Sequence, residues 1–551
     1  MVRKILFSAL MAGTLSASAA REHSYNIIPE PVEIIEAQGE FMLESHIPLY
    51  VGDESLTFSA TYLVDYAERY LGLPIEFDTV GAGKRKNRKK VEQEENRIRL
   101  ALNSSYDKAG AYCLRIEPEV GITIEGADAT GVFYGIQTLI QLLPVRAGAI
   151  PVLPALTIND YPRFQYRGMH LDVVRHFFPV SYLKRYIDFM AFHKLNYFHW
   201  HLTDDQGWRI YMKSHPELTE RGSKREGEIV GYYPGTYKEM PYGGFYTHDD
   251  VREVVTYAAE RGITVIPEID IPGHCMAVLA AHPEFSTTPE EAKKCALTWG
   301  IFNKFNNVLA PVPAVFNFLE DVFGELCELF PGQYIHVGGD ECAKRWWQES
   351  EQTQQFMREQ GLKDEKELQS YFIHFVQRVV NAKGKTLIGW DEIMEGGISK
   401  DCIVMNWRKP AFGAKALKGG HRTIMTSSGW TYFNRKEARN APSIVGAPGP
   451  LSLRKAYEYQ VVPDSLTEEQ ASRVWGVQGC LWTEYLPTTW KLEFFLFPRM
   501  AALAENAWAA EEKKNWERFA AKMPVQFDRY DLWGIRYSDY FFQTEDIERK
   551  R

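Results

Sequence analysis

From residue 163 onward the sequence alternates between short strand-like apolar runs and helical ones. The strand-like runs lie at 167–172, 196–201, 264–268, 334–337, 386–390, 403–407, 422–426 and 477–482. Helical spacing occupies most of the gaps. Residues 180–194 form one such stretch, and Val251, Val254, Val255 and Ala258 mark another. Val315, Leu319, Val322, Leu326 and Leu329 mark a third, at steps of four and three. Parallel strands need long crossover connections, and a helix is the usual one. Eight such units predict a (β/α)8 barrel of the TIM type over 161–510. The active site of such a barrel lies at the C-terminal ends of its strands.

The flanks read differently. Residues 21–160 mix strand-like runs (98–102, 121–125) with an amphipathic helix at 131–143 that stops at Pro144, which predicts a small N-terminal α/β domain. The basic run at 84–90 reads as a solvated loop. Residues 511–551 are expected as a helical tail packed on the barrel. The first 20 residues read as a secretory signal: Arg3 and Lys4, then an apolar stretch from Ile5 to Leu15, then Ala17-Ser18-Ala19. Export to a periplasm or beyond is therefore expected. No later stretch is apolar for long enough to span a bilayer.

The net charge of −9 argues against nucleic acid as a partner, because phosphate binding needs a basic face. Seven cysteines with no C-x-x-C pair argue against a disulfide framework or a zinc ribbon, although a Cys275–Cys295 bridge stays open. Aromatic residues make up 13% of the chain, with 14 Trp and 29 Tyr, enough to supply stacking platforms for sugar rings.

At the predicted strand ends stand Asp172 and Arg175, then Asp204 and Asp205, then Glu268, Asp270 and His274. Asp340 and Glu341 follow the fourth strand, Trp390, Asp391 and Glu392 the fifth, and Trp407 the sixth. Tyr432 and Asn434 follow the seventh, and Trp482 and Glu484 the eighth. Carboxylates, Arg and Trp converging on one rim are what a sugar needs. Gly338-Gly339 permits a tight turn before two adjacent carboxyls. Like charges that close raise one pKa, which suits a general acid. Read alone, Asp340-Glu341 is also an ordinary helix start; the tryptophans around it favour chemistry. His199 and His201 face the same side of a strand and invite a metal. The rim offers few further ligands, so histidines satisfied by hydrogen bonds inside the barrel are the expectation, with no metal and no cofactor.

These stretches resemble glycoside hydrolase family 20, the β-N-acetylhexosaminidases: RGMHLDVVRHFF (167–178), KLNYFHWHLTDDQGWR (194–209), PEIDIPGH (267–274), YIHVGGDE (334–341), IGWDEI (388–393), VMNW (404–407) and LWTE (481–484). The run at 131–143 is similar to the last helix of the family's N-terminal domain. The resemblance implies retaining hydrolysis in which the substrate's own 2-acetamido oxygen attacks the anomeric carbon. It implies Glu341 as acid and base, Asp340 as partner of the acetamido N–H, and Tyr432 as donor to the acetamido oxygen. It further implies Trp390, Trp407 and Trp482 as pocket walls, Arg175 and Glu484 on the sugar hydroxyls, and Asp204 and His274 as a supporting network.

One position departs from the bacterial pattern. Two residues after Tyr432, where many members carry an Asp that meets the 6-hydroxyl, stands Asn434, followed by Arg435. That pair resembles the animal enzyme chain that accepts acidic substrates, and it suggests 6-sulfated N-acetylglucosamine. A surface role for Arg435 is the alternative. For the chain as a whole, a non-catalytic carbohydrate-binding barrel and a metal-dependent amidohydrolase are the competing functions. A glycan ending in N-acetylhexosamine is the expected partner; oligomeric state is not legible in the sequence.

Overall fold

A computed structural model describes residues 25–77, 96–146, 148, 150–232, 235–297, 306–438 and 444–544. The signal-like segment and the basic run at 84–90 lie outside the described residues.

Strands β1 (Glu33–Met42), β2 (Ile47–Val51), β3 (Ile75–Phe77), β4 (Arg97–Leu102), β5 (Tyr112–Glu117), β6 (Gly121–Gly126) and β7 (Val152–Asp160) form one sheet. Their order is β1-β7-β5-β6-β4-β2-β3, antiparallel from β1 to β6 and parallel from β6 to β3. The helix Ala129–Leu142 packs on it. Asp128 starts that helix by accepting from Gly131 N at 2.8 Å, and Leu143, extended before Pro144, ends it.

The barrel strands are β8 (Tyr166–Asp172), β9 (Tyr197–His201), β14 (Thr264–Glu268), β15 (Tyr334–His336), β16 (Thr386–Trp390), β17 (Ile403–Asn406), β18 (Thr423–Met425) and β19 (Val474–Leu481). They close in parallel, β14-β15-β16-β17-β18-β19-β8-β9. Each contains or overlaps an expected run. They were legible because strands covered on both faces are apolar nearly throughout, and β8 and β19 are buried at every residue. Helices Val180–Phe192, His248–Glu260 and Pro313–Leu329 match the periodic stretches. A reciprocal cap, Thr247 with Asp250, starts the second.

Between β9 and β14 the chain inserts two small pairs that sequence reading missed. β10 (Thr203–Asp204) pairs with β11 (Gly207–Trp208), and β12 (Lys224–Val230) with β13 (Thr236–Gly243). The helix Trp516–Leu532 touches both domains: Lys522 Nζ donates to Ile27 O at 2.7 Å, Arg529 to Gln141 O at 2.6 Å, and Tyr530 packs on Phe497.

All seven thiols are free, so the Cys275–Cys295 bridge is not made. Their sulfurs face different carbonyls, Cys275 that of Pro272 and Cys295 that of Gly222. Part of the aromatic excess is core. Tyr166, Tyr197, Tyr334 and Trp475 plug the N-terminal end of the barrel, with Tyr166 stacked on Tyr197 at 4.5 Å.

Candidate active site

The structure brings the predicted residues together at the C-terminal rim. Gly338, Gly339 and Glu341 follow β15 with φ of 66°, 91° and 47°. A side chain at Gly338 would collide with Asp270, whose Oδ1 accepts from Gly339 N at 3.0 Å. The turn therefore needs glycine, and it holds Glu341 in a left-handed conformation that few non-glycine residues adopt. His274, also at positive φ, faces the two acids. Its Nε2 is 3.6 Å from Asp340 Oδ2 and 3.6 Å from Glu341 Oε2. Its Nδ1 is 3.0 Å from Asp204 Oδ1. Burial opposes the imidazolium, but Asp204 and Asp340 outweigh it and hold His274 protonated well above its ordinary range.

Asp340 is mostly buried and Glu341 is 47% exposed at the side chain. Burial first, then Glu341, pushes the Asp340 carboxyl up to about 6, with His274 opposing. Asp340 Oδ1 is buried and has no hydrogen-bond partner among the described residues.

Asp204 is the hub behind this pair. It binds His201 Nε2 at 2.8 Å, His274, and Arg175 Nη2 at 2.8 Å. Arg175 also donates to Asp172 at 3.1 Å and Gln206 at 2.8 Å, and lies 5.2 Å from the Trp482 ring. Burial disfavours that charge, but Asp204, Asp172 and Glu484 hold it firmly.

The rings form one continuous surface. Trp407 lies nearly parallel to Tyr432, centroids 6.4 Å apart and planes at 20°. Tyr432 meets Trp482 at 6.1 Å, and Trp390 meets Trp482 at 5.9 Å. Trp390 backs this surface at 1% exposure, its Nε1 donating to Glu268 at 2.8 Å. Glu484 Oε2 and Asn434 Oδ1 are buried without partners among the described residues. Burial chiefly, against Arg175, raises the Glu484 carboxyl. Arg435 is half-buried, and its Nη1 donates to Pro448 O at 3.0 Å. Among the described residues no carboxylate pairs with it.

His199 and His201 converge on a carboxylate. Glu268 lies 2.5 Å from His201 Nδ1, 2.9 Å from His199 Nε2 and 3.1 Å from His336 Nδ1. His199, Glu268 and His336 are close enough to share an ion, as are Asp204, Asp205 and His274. The sequence places Glu268, Asp391 and Glu392 at strand ends without giving them partners, and it does not single out Gln206. Each sits inside a quoted motif or at a strand end, but only geometry assigns its partner.

The chain matches the family model for the glycosyl hydrolase family 20 catalytic domain over residues 164–511 and the model for family 20 domain 2 over 24–161. It is 39% identical over 544 residues to a β-hexosaminidase of Porphyromonas gingivalis, covering 96% of this chain and 67% of that one. A family 20 exo β-N-acetylglucosaminidase of Vibrio harveyi in complex with N-acetylglucosamine superposes with a TM-score of 0.82 at 30% identity, over 94% of this chain and 79% of that one. A Streptomyces plicatus N-acetyl-β-hexosaminidase in complex with Thio-NAglucal gives 0.78 at 30% identity, over 94% and 97%.

Proposed function

The chain belongs to glycosyl hydrolase family 20 and is a β-N-acetylhexosaminidase; on that premise we propose that it removes terminal β-linked N-acetylhexosamine from glycans by substrate-assisted, retaining hydrolysis. Family 20 is a recognised exception to the two-carboxylate scheme. The acetamido oxygen attacks the anomeric carbon as Glu341 gives its proton to the leaving oxygen, and an oxazolinium forms. Glu341, now a carboxylate, takes a proton from water, which opens that intermediate with net retention. Asp340 accepts from the acetamido N–H and offsets the positive charge. Tyr432 donates to the acetamido oxygen, and Trp407, Trp482 and the backing Trp390 shape the slot. Holding an internal nucleophile in place is worth up to roughly 7–11 kcal/mol.

One observation carries this reading. Among the described residues Asp340 Oδ1 is a buried acceptor without a partner, on a carboxyl close enough to influence Tyr432 and Glu392. A buried acceptor left unpaired costs about 1–3 kcal/mol unless a ligand's donor supplies the missing bond. A thiazoline analogue of the cyclised intermediate is expected to bind far more tightly than N-acetylglucosamine. A glycosyl ester trapped on any carboxylate, read by mass spectrometry, would overturn the mechanism.

The substrate we propose includes 6-sulfated N-acetylglucosamine. Asn434 removes a like charge from the 6-position, and Arg435 brings a guanidinium that has no carboxylate partner among the described residues. A charge-assisted bond to sulfate is worth about 1.5–3 kcal/mol, roughly ten- to a hundred-fold. Arg435→Ala and Asn434→Asp should each lower kcat/KM on the sulfated aryl sugar relative to the plain one. A ratio unmoved by either change refutes this specificity and leaves the hydrolase reading standing. We also propose export, supported by the charged-then-apolar start of the chain; fractionation of producing cells tests it.

A further inference from the structure

The two acids after β16 have no part in the mechanism above, yet they stand beside its slot. Asp391 and Glu392 open the turn Asp391–Met394. Asp391 is fully buried and its carboxylate is occupied: Arg408 Nε donates to Oδ1 at 2.6 Å and Asn406 Nδ2 donates to Oδ2. Glu392 is 9% exposed. Its Oε2 accepts from Trp407 Nε1 at 2.8 Å, and its carboxyl is also within hydrogen-bond reach of Asp391. Two buried carboxyls in that contact share a proton, because both cannot be charged. Arg408 sits 2.6 Å from Asp391 and 3.8 Å from Glu392, so of the two carboxyls Glu392 is the one that takes the proton.

Building on the hexosaminidase reading, we propose that Glu392 is a positioning residue acting as a neutral carboxylic acid. It accepts the Trp407 indole hydrogen with one oxygen and donates its own proton to Asp391 with the other. This clamps the Trp407 ring beside Tyr432. Arg408, Asp391, Glu392 and Trp407 then form one chain of hydrogen bonds ending at the wall of the acetamido slot. The charged and titratable groups facing Glu392 are Asp391 on its own turn, Arg408 after β17, Asp340 after β15 and Tyr432 after β18. Burial first, then Asp340 and Asp391, pushes the Glu392 carboxyl up to about 9, with Arg408 opposing. Its folded pKa is raised, so the clamp is complete at neutral pH and is lost as pH rises through about 9.

A neutral carboxyl has a close mimic in an amide, which donates through nitrogen and accepts through oxygen. Glu392→Gln is therefore expected to keep KM for an aryl N-acetylglucosaminide within about threefold of wild type at neutral pH, and to abolish the rise in KM above about pH 9. Glu392→Ala leaves the Trp407 N–H and Asp391 without their partner, and should raise KM roughly ten- to a hundred-fold. Infrared difference spectroscopy of wild type minus Glu392→Gln should show a protonated-carboxyl C=O stretch at neutral pH. The proposal is overturned if that band is missing, or if Glu392→Gln loses as much as Glu392→Ala. A wild type inert on the aryl sugar would instead refute the hexosaminidase reading, and the infrared band would still test Glu392.

Discussion

Two buried polar networks occupy opposite ends of the barrel. At the N-terminal end Lys194 Nζ donates to the Tyr112 hydroxyl at 2.8 Å and to Asp160 Oδ2 at 3.1 Å, 4.5 Å from the Trp508 ring. Asp160 Oδ1 accepts from Val32 N, Tyr161 N and Trp508 Nε1, and its Oδ2 also from Tyr112. Arg167 donates to Lys194 O, Phe164 O and Tyr134. Every one of these side chains is partnered, and together they join the N-terminal domain to the barrel. At the C-terminal end Asp340, Asn434 and Glu484 each keep a buried atom without a partner among the described residues. Burial and charge are common to both ends; completeness is not. The completed network belongs to the fold, whereas the open atoms at the rim converge on the place a ligand fills.

The largest expected effect separates the ends through activity. Glu341→Gln should lower turnover of poor leaving groups by about 10²–10⁴-fold or more, since a positioned acid supplies that much. A good aryl leaving group should suffer less in the glycosylation step, read by presteady-state kinetics. The denaturation midpoint should stay near that of wild type, because Glu341 is half exposed. Equal loss on both leaving groups would contradict the assignment of the acid.

Lys194→Met attacks the other end. It takes away the cation beside Asp160 in a site with no solvent access, and should destabilise by about 3–5 kcal/mol in chemical denaturation. The folded fraction should keep wild-type kcat/KM. A lasting loss of activity without loss of stability would mean that the two networks are coupled.

Asp340 offers a smaller and sharper contrast. Its folded pKa is raised to about 6, mainly by burial, so the protonated form is the one the fold favours. Stability on its account is full below the ordinary carboxylate range and declines as pH rises through about 6, by on the order of 2–3 kcal/mol. Activity needs the charged form and falls as pH drops through about 6. Asp340→Asn should therefore be more stable than wild type at neutral pH while far less active. An Asp340→Asn protein less stable than wild type there would count against an open, strained site.

Much of this was legible in the sequence. The eight barrel strands announce themselves as apolar runs, and their C-terminal ends name most of the rim. The hairpin β12–β13 was invisible because β13 is exposed almost throughout and shows no alternation. The motif KLNYFHWHLTDDQGWR runs from one network to the other: Lys194 belongs to the domain junction and Asp204 to the site. Spacing along a strand cannot separate those roles, because they depend on which end of the barrel each residue reaches. Likewise the sequence leaves Arg435 open between the 6-position and the surface, and only the fold turns its Nη1 toward Pro448.

The central claim is that the substrate's acetamido oxygen is the nucleophile and that the open network exists to hold it. Aryl glycosides whose N-acetyl group carries none, one, two or three fluorines test this most directly, because fluorine withdraws electrons from that oxygen while changing little else. A steep, regular fall in kcat/KM with each fluorine is expected. A flat series, with the trifluoroacetyl substrate cleaved as fast as the acetyl one, would contradict participation of the acetamido group and the role given to Asp340.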